Sequence, residues 1–327
     1  MIRRLFRSSV ATGATVTAIA AISTAFLGAV PAQASTHSNL FASVNLNGTL
    51  AHGNGVSGVT HIGTGQYEVT FSADVQQCAY VATTINAYSQ ALQVFTAGGH
   101  LSADGVYVET KNQGGGLTDG PFNLVVDCGL PGWSYAVVGY NANLVRSTPG
   151  ATLTSLGAGR YDVTFPARID SCAYLATVGD PGHGLVFSPG GVYTGSGSDP
   201  STVYVETKNQ GGGLSAGIPF HLAVICPAAA RAKVAVVAAN GRLARGSHRI
   251  WSFSEASGQY TLVTSRPVAA CAAVATRGSA DTAVPFDPAT VEIVPGTARN
   301  AVGIQVRQLL FFGGTLASES FHAALVC

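Results

Sequence analysis

Apolar and polar residues alternate with a period of two along most of the chain, the pattern of strands that bury one face. Tyr67, Val69 and Phe71 alternate with Glu68 and Thr70, and Tyr161, Val163 and Phe165 alternate with Asp162 and Thr164. Phe220, Leu222, Val224 and Cys226 share one face, with His221, Ala223 and Ile225 on the other, and 122–128 and 321–327 repeat that arrangement. Asn47-Gly48 and Asn240-Gly241 stand between short Val/Leu-rich runs and predict tight hairpins. The middle equivalent, Asn141-Ala142, suits positive φ less well. No amphipathic helix is visible. Seven or eight strands per unit, punctuated by Gly, Pro, Asn and Ser, predict an all-β fold of the β-sandwich type, with a jelly roll as its alternative form.

The pattern is stated three times. Asn47, Asn141 and Asn240 precede Cys78, Cys172 and Cys271 by one common interval, and Tyr67, Tyr161 and Tyr260 precede them by another. Phe122, Phe220 and Phe321 likewise precede Cys128, Cys226 and Cys327. The copies span 41–128, 134–226 and a divergent 234–327. If homologous units fold alike, each closes its own bridge: Cys78–Cys128, Cys172–Cys226 and Cys271–Cys327. In the chain-entropy model each loop of this size contributes about 4 kcal/mol. Connectors at 129–132 and 227–233 are short, so three tandem sandwiches can either close a pseudo-threefold cluster or string out.

Four segments carry a family resemblance: GQYEVTF (65–71), CAYVAT (78–83), VYVETKNQGGGL (106–117) and PFNLVVDC (121–128). Together they resemble repeats of secreted actinobacterial proteins, and they are loosely similar to domains capping phage tail fibres and collagen-like proteins. The resemblance covers nearly all of the chain after its leader. It implies a β domain used for display or adhesion, without catalytic or binding residues to carry over. Copy 3 departs from it, with IQVRQLLFFGGTL (304–316) in place of VYVETKNQGGGL.

Residues 1–34 read as a signal peptide. Arg3, Arg4 and Arg7 precede an uncharged Ala/Thr/Val/Gly run, and Ala32-Gln33-Ala34 predicts cleavage before Ser35. A membrane anchor fits less well, because the run is only weakly hydrophobic. Arg3-Arg4-Leu5-Phe6 resembles a twin-arginine signal, but bridges formed after export favour the general secretory route. The chain stops at Cys327 inside a strand, so no C-terminal anchor is expected and the product should be secreted, extracellular and free of the membrane. Its formal net charge is +1 before cleavage and slightly negative after loss of the three arginines. With no basic run visible, nucleic acid is not an expected partner.

No GxSxG, HExxH or unpaired cysteine is present, so neither an enzyme nor a cofactor or metal is expected. His221 and His322 occupy matching sites, but Asn123 stands there in copy 1, which reads as an outward polar position rather than a catalytic base. Glu68 and Asp162, matched by Thr261, read as a solvated strand face. Asp180 to His183 reads as a turn, Gly114 to Gly116 as hairpin flexibility, and Trp133 and Trp251 as packing residues. The identical segments 106–117 and 203–214 are the candidate binding surface. Strand alternation turns Val106 and Val108 inward and Tyr107 and Glu109 outward, with Lys111, Asn112 and Gln113 in the turn; Tyr204, Glu206, Lys208, Asn209 and Gln210 are the second set. Such groups suit a glycan, cell-wall or protein surface, and a constrained turn is the competing explanation. The function expected is a non-enzymatic secreted repeat protein that binds such a surface. A structural envelope or matrix spacer comes second, and a secreted hydrolase or inhibitor third.

Overall fold

A computed structural model of the chain describes residues 39–86, 91–184, 190–229, 231–281, 288–296, 298–308 and 314–327. The signal-peptide segment 1–34 lies outside the described residues, as does 309–313 of the divergent copy 3 segment.

Copy 1 contains eight strands: β1 (Leu40–Val44), β2 (Leu50–Asn54), β3 (Val56–Gly63), β4 (Gln66–Phe71), β5 (Ala79–Thr84), β6 (Gln93–Gly98), β7 (Gly105–Lys111) and β8 (Phe122–Asp127). They form two antiparallel sheets, β2-β1-β8-β5 facing β3-β4-β7-β6. Copy 2, β9–β16 (Trp133–Ile225), and copy 3, β17–β24 (Ala232–Val326), repeat this order. The sandwich expectation holds. The jelly-roll form does not, because the hairpins β1–β2, β3–β4 and β6–β7 each stay within one sheet.

The first hairpin turns at Gly48 (φ 77°) and Gly241 (φ 80°), and copy 2 holds Ala142 at φ 53° in the same place. Sequence alternation builds each sandwich core. Copy 1 packs Tyr67, Phe71, Tyr80, Phe122 and Leu124, all buried, and Tyr67 meets Phe122 edge-on at 5.3 Å. Tyr260 and Phe321 repeat that contact at 5.0 Å. Beside each core the first strand end after one cysteine meets the strand end before the other, as Ala79 opposite Asp127 shows. The predicted bridges close there, with Cα–Cα distances of 4.3, 4.0 and 4.3 Å. Three disulfides are the chemistry of an oxidising, extracellular environment.

Apart from its outer edge strand, the inner sheet of every copy is buried on both faces, which corrects the expectation for His221 and His322. Its second face turns toward a shared core in which Val81 and Val125 of copy 1 join Leu175 and Ile225 of copy 2 and Val234 and Val274 of copy 3. The three copies therefore close around a pseudo-threefold axis within one compact unit. Edge strands explain why the closure is specific. β5, β13 (Ala173–Val178) and β21 (Ala272–Arg277) end their sheets and leave main-chain groups unpaired, a liability unless something covers them. The Thr177 hydroxyl of copy 2 accepts from the Ala82 N–H at 2.9 Å and donates to the Ala82 carbonyl at 3.2 Å. Thr276 does the same for Ala176 at 2.8 and 3.0 Å, and Thr83 for Ala275 at 2.8 and 3.0 Å. One threonine per copy thus caps the edge strand of its neighbour, all the way round.

Candidate binding surface

The 106–113 and 203–210 segments do not form an open surface. β7 sits between β4 and β6 in the outer sheet, and residues 179–184 of copy 2 run along β6, with a parallel bridge from Thr96 to Gly179. Beneath this cover Tyr107, Glu109 and Lys111 are buried. Lys111 is not in the turn but ends β7, where its ammonium pairs with Glu109 at 2.8 Å and lies 4.8 Å from the Phe95 ring centre. Tyr107 donates to the Glu109 carboxylate at 3.1 Å. In copy 2, Lys208 pairs with Glu206 at 3.0 Å and Tyr204 donates to Glu206 at 2.9 Å. Burial and the bonded Glu206 carboxylate push the Tyr204 hydroxyl up to about 12. Copy 3 builds the same place differently: Arg307 pairs with Glu292 at 3.0 Å, and Asn86 of copy 1 donates to Gln305 at 2.6 Å. In copies 1 and 2 the charged residues thus pair within their own sheet, and in copy 3 Glu292 also accepts the Leu92 N–H of copy 1 at 3.3 Å.

The rest of each segment is a turn. Asn112 accepts the Gly116 N–H at 3.0 Å and Asn209 accepts the Gly213 N–H at 3.1 Å, with Gly115 and Gly212 at φ 83° and 84°. Only a residue without a side-chain clash adopts that conformation at little cost. Gln113 and Gln210 remain partly exposed and Asn209 exposed.

The histidine positions form the seams between copies. His221 accepts the Tyr80 N–H at Nδ1 (3.0 Å) and donates from Nε2 to the Asp180 carbonyl (3.1 Å), its ring stacked on Tyr80. Arg146 lies over the same Tyr80 ring at 5.5 Å and donates to the Cys78 carbonyl at 2.9 Å. His322, Tyr174 and Arg245 repeat the trio at the next seam, at 2.9 Å from the Tyr174 N–H and 3.1 Å to the Cys172 carbonyl. Burial, reinforced by the adjacent guanidinium, pulls both histidines down to about 3, so they are neutral. At the third seam the trio becomes His52, Ala273 and Asn123, whose amide donates to the Ala273 carbonyl at 2.8 Å.

Glu68 also departs from expectation. It is buried, not solvated, and its carboxylate accepts the N–H groups of His100, Leu101 and Ser102 at 2.7 to 2.9 Å. Asp162 is half-buried. Asp180 makes the predicted turn by accepting the Gly182 N–H at 2.7 Å, and His183 reaches across to the Gly99 carbonyl at 2.8 Å. Among the described residues, no group of three or more His, Cys, Asp or Glu side chains is placed to hold a metal ion.

What the structure leaves open is the outer face of copy 3. Trp133 packs in the shared core as expected, but Trp251 is 48% exposed and Phe253 55%. Both lie on β19 (Ile250–Ala256), an edge strand, facing solvent two residues apart. Pairing Trp251 with Val263 and Phe253 with Thr261 aligns them with Thr152 and Thr154 of copy 2 and with Gly58 and Thr60 of copy 1. The sequence reads Trp251 as a packing residue because no other copy has an aromatic there, and its exposure beside Phe253 corrects that expectation. Comparison with protein-family models, characterised proteins and solved structures finds no match to this chain.

Proposed function

We propose that this is a secreted, non-enzymatic β-repeat protein, exported by its 1–34 leader, that binds an extracellular glycan or protein surface through copy 3. The observation carrying this reading is the exposed Trp251/Phe253 pair, which copies 1 and 2 replace by small or polar residues. Flat aromatic groups on a rigid strand present large contact area at small entropic cost, which suits sugar rings and protein patches alike. The resemblance to secreted display repeats points the same way. Retention on insoluble cell-wall polysaccharide tests it: Trp251→Ala with Phe253→Ala should abolish retention while leaving the unfolding midpoint in place. Equal retention of that variant and the parent sinks the reading. The structural-spacer alternative draws on the threonine caps and histidine seams, which spend recurring polar residues on contacts between copies. A spacer shows no saturable retention at all.

A further inference from the structure

Where copy 3 meets copy 1, a cleft of about 740 Å³ opens beside the Cys271–Cys327 bridge. Buried Phe41 and Val268 line it, and Arg231, Lys233, His248, Arg249 and Arg266 surround it. Five basic groups on one cleft are unexpected in a chain whose formal net charge is +1. None of the three arginines or Lys233 forms an ion pair among the described residues.

The backbone supplies an independent observation. Arg231 and Arg249 both sit at φ 59°, in the left-handed region that side chains disfavour. Copy 2 uses glycine at both places, and copy 1 at the second. Gly132 (φ 80°) accepts from the Cys226 N–H just as Arg231 accepts from the Cys327 N–H, and Gly150 (φ 83°) and Gly55 (φ 72°) hold the place of Arg249. The remaining positions follow suit: Ser134 in copy 2 matches Lys233, Pro149 matches His248, and Ala167 matches Arg266. Copy 2 therefore carries no charge at any of the five. Copy 3 thus holds a strained arginine at both places where copy 2 has glycine, and both arginines line the same cleft. Ala142 and Ala158 of copy 2 adopt positive φ in ordinary turns, so what sets Arg231 and Arg249 apart is that both strained residues are charged and converge on one cleft.

We infer that this cleft binds an anionic polysaccharide, gripping its carboxylate or phosphate groups with Arg231, Arg249 and Arg266. Guanidinium forks match both anions in two-point geometry, and a focused positive field draws a negatively charged chain to it. β19 begins directly after Arg249, so the exposed Trp251 and Phe253 continue the same strand away from the cleft and offer ring faces to neighbouring sugars. This rests on the surface-binding reading above and names its site and ligand class.

Calorimetric titration of the purified protein tests the site, with polygalacturonate as the carboxylate probe, poly(glycerol phosphate) as the phosphate probe and dextran as the neutral one. Binding to at least one anionic polymer, weakening at least tenfold between low and physiological salt, is the expected result. Arg231→Gly with Arg249→Gly introduces the residues that copy 2 carries at both places, so the fold is kept, and affinity should drop at least tenfold. Unchanged affinity in that variant overturns the cleft as the site. Absence of binding to either anionic polymer overturns the ligand class, and dextran binding lost in Trp251→Ala would then leave surface binding itself standing. Tighter binding of duplex DNA than of either polysaccharide also overturns the assignment.

Discussion

Copies 1 and 2 share one design and copy 3 has another, and the difference divides scaffold from function. Where copies 1 and 2 carry Tyr80 and Tyr174 at the seams, copy 3 carries Ala273. Where they carry glycine, serine and threonine on the outer rim, copy 3 carries arginine, lysine, tryptophan and phenylalanine. Residues that recur in all three copies cap a neighbour, close a bridge or fill a core. On the outer rim, those unique to copy 3 face solvent, so duplication supplied the frame and divergence of one member the chemistry.

The contrast between buried axis and open rim gives the largest expected effect. Leu175→Asp places an unpaired charge in the shared core and should cost more than about 4 kcal/mol, which denaturant titration would read as loss of the folded state. Leu156→Asp, on an exposed β11 (Thr152–Gly157) position of the same copy, should shift stability by no more than about 0.5 kcal/mol. Equal effects would mean that the inner sheets do not meet. Next in size is the bridge: Cys172→Ala with Cys226→Ala opens a loop of separation 54 and should cost about 2–5 kcal/mol in urea unfolding.

Acid should find the seams. His221 and His322 titrate near 3 when folded and near 6.5 when unfolded. Between those values the unfolded chain binds more protons, so stability is full above about pH 6.5 and falls as pH drops toward 3. Both histidines steepen that fall, because each must take up a proton on unfolding. Asp127 works in the opposite sense, because burial raises it to about 7 and its neutral form is favoured in the fold. His221→Asn with His322→Asn, copying Asn123 of copy 1, should therefore flatten the acid limb of a stability–pH profile measured by urea midpoints. A limb of unchanged slope would show that the histidines are not buried at the seams. The smallest effect separates strain from function: Arg231→Gly and Arg249→Gly should each raise stability by about 0.5–1 kcal/mol in thermal unfolding while weakening anion binding.

Strands, hairpins and bridges were legible in the sequence because each rests on local chemistry: the period of two, Asn-Gly turns and paired cysteines. The second buried face was harder to read. Alternation says that His221 and Phe220 point opposite ways, and it is silent on whether a second layer covers His221. A clue lay in Ala79-Tyr80-Val81-Ala82 and Ala173-Tyr174-Leu175-Ala176, which are apolar on both faces, as strands covered on both sides are. Strand alternation turns Glu109 outward, and it is outward with respect to its own sandwich, while Lys111, read as a turn residue, ends the same strand. Residues 179–184 from the next copy cover that face, a contact far away in sequence. The basic cleft was hidden by dispersal: its members run from 231 to 266 without a charge run, and near-neutral totals conceal local clustering.

Closure of three copies around one axis is the claim on which the seams, the buried ion pairs and the copy 3 cleft all depend. Small-angle X-ray scattering from residues 37–327 tests it directly. A compact body of that length has a radius of gyration of about 19 Å, which is the result expected. A value on the order of 30 Å, as for sandwiches strung end to end on short tethers, would contradict it.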